Sequence, residues 1–254
     1  MDSDRVFAGV DLSTGRSGVT VARLSGRLEV HSVRRRTPEE AAEELAACEK
    51  ITAAFGGPLH SWRTAAESAE PIGQALREGK RPRSRAADGE LSRRGIPVRR
   101  MPVMASAAPA WMRSAFGLAR ALAGHGFTEG KGAMDEPRAM LETHPGACAA
   151  VLLGRLPFGR TNLEGRIQRQ LLLIREKMAL PDPMQAFEEM TAHHILSGRL
   201  ALDSVLRPDE LDALLAAFTA WRASSDPESV TWLGDDAGGW ICLPAKELSE
   251  KYTK

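Results

Sequence analysis

The chain has 254 residues, 43% of them hydrophobic, with 34 Lys and Arg set against 33 Asp and Glu. That is enough apolar material for one large domain with a proper core, and a charge too evenly balanced to hold a polyanion unless cations gather locally. Cys48, Cys148 and Cys242 lie far apart with no Cys-x-x-Cys pair, which argues against a disulfide framework or a thiolate zinc site. No apolar stretch reaches membrane-spanning length, and the acidic start Met1-Asp2-Ser3-Asp4 leads into no signal-peptide core.

A cytoplasmic protein with no membrane partner is therefore expected, read as one α/β domain over residues 1–254. Residues 6–12, Val-Phe-Ala-Gly-Val-Asp-Leu, form an apolar run that suits a buried strand. Asp11 sits at its tip, and a carboxylate there is costly unless it meets a cation, a metal or solvent at the sheet edge. Residues 19–24 are rich in β-branched side chains, and in 27–31 apolar Leu28 and Val30 alternate with polar neighbours, so three antiparallel strands are predicted. Thr37-Pro38-Glu39-Glu40 carries the signature of a helix start: an N-cap hydroxyl, a proline in the first turn and a glutamate three residues on. This helix is predicted to run to about Phe55.

After Gly56-Gly57-Pro58, residues 62–67 are read as a fourth strand, parallel to the first, which would end Glu67 beside Asp11. Residues 77–100 are dense in arginine and read as a basic loop. A helix is predicted over 105–123, and a short strand over 138–142 ends in Glu142. Helices follow over 163–178, 183–200 and 208–223, and a last strand over 240–243. Most of 146–206 is then a helical insertion in a mixed sheet.

The chemistry is carried by acids. Asp212 interrupts the apolar segment Leu211 to Phe218 although aspartate is a poor helix former, and Asp209, three residues earlier, shares its face. Two carboxylates about 4 Å apart repel by roughly 4 kcal/mol at an effective dielectric near 20. Convergence of Asp11, Glu67, Glu142 and Asp212 would thus call for a hard divalent ion, Mg2+ or Mn2+ and in all two ions, able to activate water at a phosphodiester. His144, two residues past Glu142, is either a group for the scissile phosphate or a histidine hydrogen-bonded to structure before Pro145. Arg81, Arg83, Arg85, Arg93 and Arg94 supply the local charge that a nucleic-acid backbone, DNA or RNA, requires. Trp62, Trp111 and Trp240 read as core.

The strings Gly9-Val10-Asp11-Leu12-Ser13, Ala87 to Gly95, Glu142-Thr143-His144-Pro145, Asp209 to Ala213 and Gly239 to Pro244 resemble, in that order, the domain-of-unknown-function family numbered 429. That resemblance implies a ribonuclease H-like fold and a metal-dependent nuclease. It places Asp11, Glu142 and Asp212 on family acids and Asp88 at an arginine-rich helix start. The family's Asp-x-Pro pattern meets Glu67-Ser68-Ala69-Glu70-Pro71 here, so Glu67, with Glu70 in reserve, takes the second acid's place. Asp11 to Val19 is also similar to the first phosphate loop of the actin-like and sugar-kinase superfamily, for whose second loop residues 234–239 are the candidate. A catalytically silent nucleic-acid-binding module is the third class. Oligomeric state is left open.

Overall fold

In the computed structural model, residues 4–12, 18–60, 85–98, 101, 105–236 and 238–254 are described. The first three strands, β1 (Val6–Asp11), β2 (Val19–Leu24) and β3 (Val30–Arg36), form the expected antiparallel meander. Helix α1 (Pro38–Ala46) starts with the predicted capping box. The Glu40 N–H donates to Thr37 Oγ1 at 3.2 Å, and the Thr37 N–H donates to Glu40 Oε2 at 2.9 Å.

α1 does not reach Phe55. It stops at Ala46, and β4 (Ile51–Phe55) follows, every residue buried and parallel to β1. The run Ile-Thr-Ala-Ala-Phe lacks polar alternation because a central parallel strand is covered on both faces, so its alanines look like a continuation of the Ala-rich helix. The strand expected at 62–67 lies outside the described residues, and its role beside β1 belongs to β4.

The sheet order is β3-β2-β1-β4-β6-β8-β7, with β6 (Arg138–Thr143), β7 (Thr231–Asp235) and β8 (Gly239–Leu243) completing it and β5 (Thr128–Glu129) pairing off β6. β1, β4, β6 and β8 run parallel, while β7 and β8 form an antiparallel hairpin. The candidate second phosphate loop thus falls on this hairpin: Gly234, Asp235 and Gly239 are paired in its strands, and the Gly238 N–H donates to Asp235 Oδ1 at 2.6 Å.

Helices cover both faces. α1 and α3 (Ala110–Gly124) pack over Ala8, Val10, Ile51, Ala53 and Phe55. On the other face lie α4 (Pro145–Leu153), α5 (Leu163–Arg175) and α8 (Pro208–Ser225), the last crossing β1. α2 (Ala86–Arg93) packs on β7 and β8. The helix predicted over 183–200 is two short ones, α6 (Gln185–Glu189) and α7 (Ala192–Leu196). This is an α/β arrangement with a mixed sheet flanked by helices.

Candidate functional site

Strand alternation decides which acids can meet. Ala8 and Val10 face α1 and α3, so Phe7, Gly9 and Asp11 face α8. Gly9 brings that helix down onto the backbone of β1: a Cβ there would lie 2.0 Å from the Ala213 carbonyl oxygen and 2.2 Å from the Ala217 nitrogen. Asp212, next to Ala213, is thereby held near the carboxyl end of β1. Arg160, from the connection between α4 and α5, joins the two acids. Its Nε lies 3.1 Å from Asp212 Oδ2, and its terminal nitrogen lies 4.0 Å from Asp11 Oδ2.

Both acids are buried, Asp11 at 2% exposure and Asp212 at 7%. Burial pushes the Asp212 carboxyl up to about 7. Arg160 and Arg169 pull it down, while the neighbouring charges of Asp11 and Asp209 push it further up. Asp209 itself is engaged elsewhere. It accepts from Thr20 Oγ1 at 2.9 Å and lies 3.7 Å from an Arg207 nitrogen.

Glu142 does not join this pair. Register aligns Val10 with Phe55 and Phe55 with Glu142, which puts Glu142 on the sheet face opposite Asp11. There Arg85 grips it with two nitrogens, Nη1 at 2.8 Å from Oε2 and Nη2 on Oε1. The Arg85 Nε reaches Asp88 Oδ1 at 2.9 Å. Burial lifts Glu142 above the ordinary carboxylate range against the pull of Arg85. Burial alone would lower Arg85, and its two carboxylates outweigh that and raise it. Of the four acids expected to converge, Asp11 and Asp212 thus share one ion-paired group and Glu142 belongs to another, while Glu67 lies outside the described residues.

His144 is the N-cap of α4, and its Nδ1 accepts from the Ala147 N–H at 3.0 Å. In the neutral ring the proton therefore sits on Nε2. Arg85, expected on a basic loop, is 4% exposed and spent on Glu142 and Asp88. Arg93, largely exposed, and Arg94 both pair with Glu90. Glu67, Glu70, Arg81, Arg83 and Trp62 lie outside the described residues, as do residues 13–17 of the kinase-like loop.

A cavity of about 270 Å3 opens at the carboxyl ends of β1, β4 and β6. Asp11, Asp212, Arg160 and Arg169 line it together with Arg85, Asp88, Glu142 and His144. Trp111 packs against the apolar core as expected, and being half-buried it also forms the cavity wall against Gly57. Among the described residues no three or more His, Cys, Asp or Glu side chains gather as a metal-ligand set.

Sequence reasoning missed Arg160 and Arg169. Arg160 sits in a Gly-Arg-Thr-Asn turn that carries no periodic signal. Arg169 was readable, because it stands four residues after Gly165 and three before Leu172, both buried, and so lies on the inward face of α5. Residues 9–237 match the model of a family described as "Protein of unknown function (DUF429)". No curated protein and no solved structure matches the chain.

Proposed function

The chain belongs to the DUF429 family, and from that membership and the geometry of the acid pair we propose a phosphodiester hydrolase acting on nucleic acid, built on a ribonuclease H-like core. The observation that carries this reading is the meeting of Asp11 and Asp212 at one guanidinium, beside a cavity lined by three arginines. The strand order supports it too: an antiparallel meander joined edge-on to parallel strands is the layout that the resemblance implies.

The donor set suits one ion. Mg2+ takes one or two carboxylates and fills its remaining positions with water and substrate oxygens, and Mn2+ shares its preference for carboxylate and water oxygens. Asp11 and Asp212 supply two carboxylates at a point where a cationic group already rests. The second ion expected from sequence finds no such pair among the described residues, since Glu142 and Asp88 are committed to Arg85. When bound, the ion would acidify a water and offset charge on the phosphoryl oxygens.

The chain's own residues do the rest. Arg160, its side chain 35% exposed, would exchange its carboxylate partners for a substrate phosphate. His144 Nε2–H would donate at the cavity wall. The buried Arg85 network would hold the floor of the site without touching substrate.

The test is cleavage of single-stranded, duplex, hybrid and branched nucleic acid by purified protein with Mn2+ or Mg2+. Cleavage that falls about a hundredfold or more in both Asp11→Asn and Asp212→Asn is the expected result. Absence of cleavage on every substrate, or variants as active as wild type, overturns the reading. ATP turnover abolished by Asp11→Asn would move the protein to the kinase-like class.

A further inference from the structure

Arg169 plays no part in the chemistry above. It stands on α5 at 4% exposure and lines the same cavity. One terminal nitrogen donates to the carbonyls of Phe158, at 3.0 Å, and Gly165, at 2.9 Å. Its Nε is buried with no hydrogen-bond partner, and among the described residues no carboxylate comes within ion-pair distance of it. Asp212 acts on it only at longer range. A guanidinium cannot shed its charge, so a buried one facing a cavity without a directly paired acid is a site that an anion completes.

A second, independent feature opens on the same space. Pro145 and Gly146, the first two residues of the nine-residue helix α4, line the cavity. The Gly146 N–H has no acceptor within its own helix, because the first turn never does, and the His144 cap is directed at Ala147 instead. The positive end of the helix dipole is therefore turned to the cavity that Arg169 borders. Arg160 supplies a second guanidinium. Of the four acids of the lining, Arg85 holds Asp88 and Glu142, and Asp11 and Asp212 share Arg160, which contacts Asp212 through Nε at 3.1 Å and keeps terminal nitrogens to turn to an anion while that contact stays.

We propose that Arg169, Arg160 and the first turn of α4 form a binding subsite for a phosphate group. Two guanidiniums and a helix N-terminus offer donors from several directions, which matches a tetrahedral oxyanion better than a planar carboxylate. The subsite shares Arg160 with the hydrolytic reading and rests on it to that extent, but its test needs neither metal nor turnover, so failure of one is distinguishable from failure of the other.

The experiment titrates metal-free protein in EDTA with inorganic phosphate, using chloride at matched ionic strength as control. Binding is followed by tryptophan fluorescence, to which Trp111 in the cavity wall contributes, and by melting temperature. Saturable binding that raises the melting point, absent with chloride, is the expected result. Arg169→Lys and Arg160→Gln should each weaken it about tenfold. If Arg169→Lys does not fold, Arg160→Gln decides, since that side chain is partly exposed. A response indistinguishable from chloride, an adventitious ion only, overturns the subsite, as do variants that bind phosphate like wild type. Competition by 5′-phosphorylated and 5′-hydroxyl trinucleotides then separates the sources. Displacement by the phosphorylated one alone assigns a terminal phosphomonoester, displacement by both assigns a backbone diester, and either supports the subsite.

Discussion

Asp212 is held where its ionisation works against folding. Its carboxyl sits at about 7 in the native protein against 3.8 for an ordinary aspartate, so between those values the folded state binds the proton that the unfolded state has lost. Its contribution to stability is complete below about pH 4 and disappears as pH rises through about 7. In the metal-free protein we expect Asp212→Asn to be the more stable form at pH 8, by about 4 kcal/mol or roughly 8–16 °C, with little difference at pH 4. Thermal melts across pH in EDTA measure this, and parallel wild-type and variant curves would refute it. The same residue shows what a sequence discloses at this scale. Asp11 and Asp212 were legible because each breaks an apolar run, and a residue that opposes its own element has a reason outside it. Arg160 had no such contrast, since a cation in a polar turn looks like solvated surface. Glu142 was legible as an acid at a strand end but not as a partner of Asp11, because its face depends on the register through β4.

At the scale of elements, the approach of α8 to β1 depends on one missing side chain. The space a Cβ would need at Gly9 is occupied by the backbone of Ala213 and Ala217, and backbone cannot rotate aside as a side chain can. Gly9→Ala must therefore lift the helix or bend the strand, and we expect a loss of about 3 kcal/mol or more. Denaturant unfolding checks it, and a midpoint within error of wild type would refute it. Because Asp212 travels with α8, any folded Gly9→Ala protein should also loosen the burial that lifts the Asp212 carboxyl. The start of α1 was readable to the residue because its capping box is local chemistry. Its end was not, since Ala47 to Lys50 contains neither glycine nor proline, and the buried Ile51–Phe55 strand has no alternation to announce itself. β7 was missed for a related reason: its burial is mixed, and only the return of β8 across it makes it a strand.

Over the whole molecule, the near-neutral charge conceals a strongly organised interior. Ligand crevices in open α/β sheets form beyond the carboxyl ends of their strands, and here Asp11, Gly56-Gly57 and Glu142 mark the ends of three adjacent strands around one cavity. The mixed-sheet class and the siting of the acids at strand ends were accessible from pattern, whereas the division of the cavity between two arginine-centred groups is a property of the assembled tertiary structure. Arg85 joins distant parts of the chain there, binding Asp88 on α2 and Glu142 on β6. Removing one member of a buried ion group leaves the others without compensation, so Arg85→Met should cost about 3–5 kcal/mol. Adding Glu142→Met removes one stranded charge and should recover part of that loss, making the double variant more stable than Arg85→Met alone. A double-mutant cycle by equilibrium unfolding reads this coupling directly. If the two losses simply add, Arg85 and Glu142 act independently, and the cavity wall owes its stability to apolar packing rather than to the ion group.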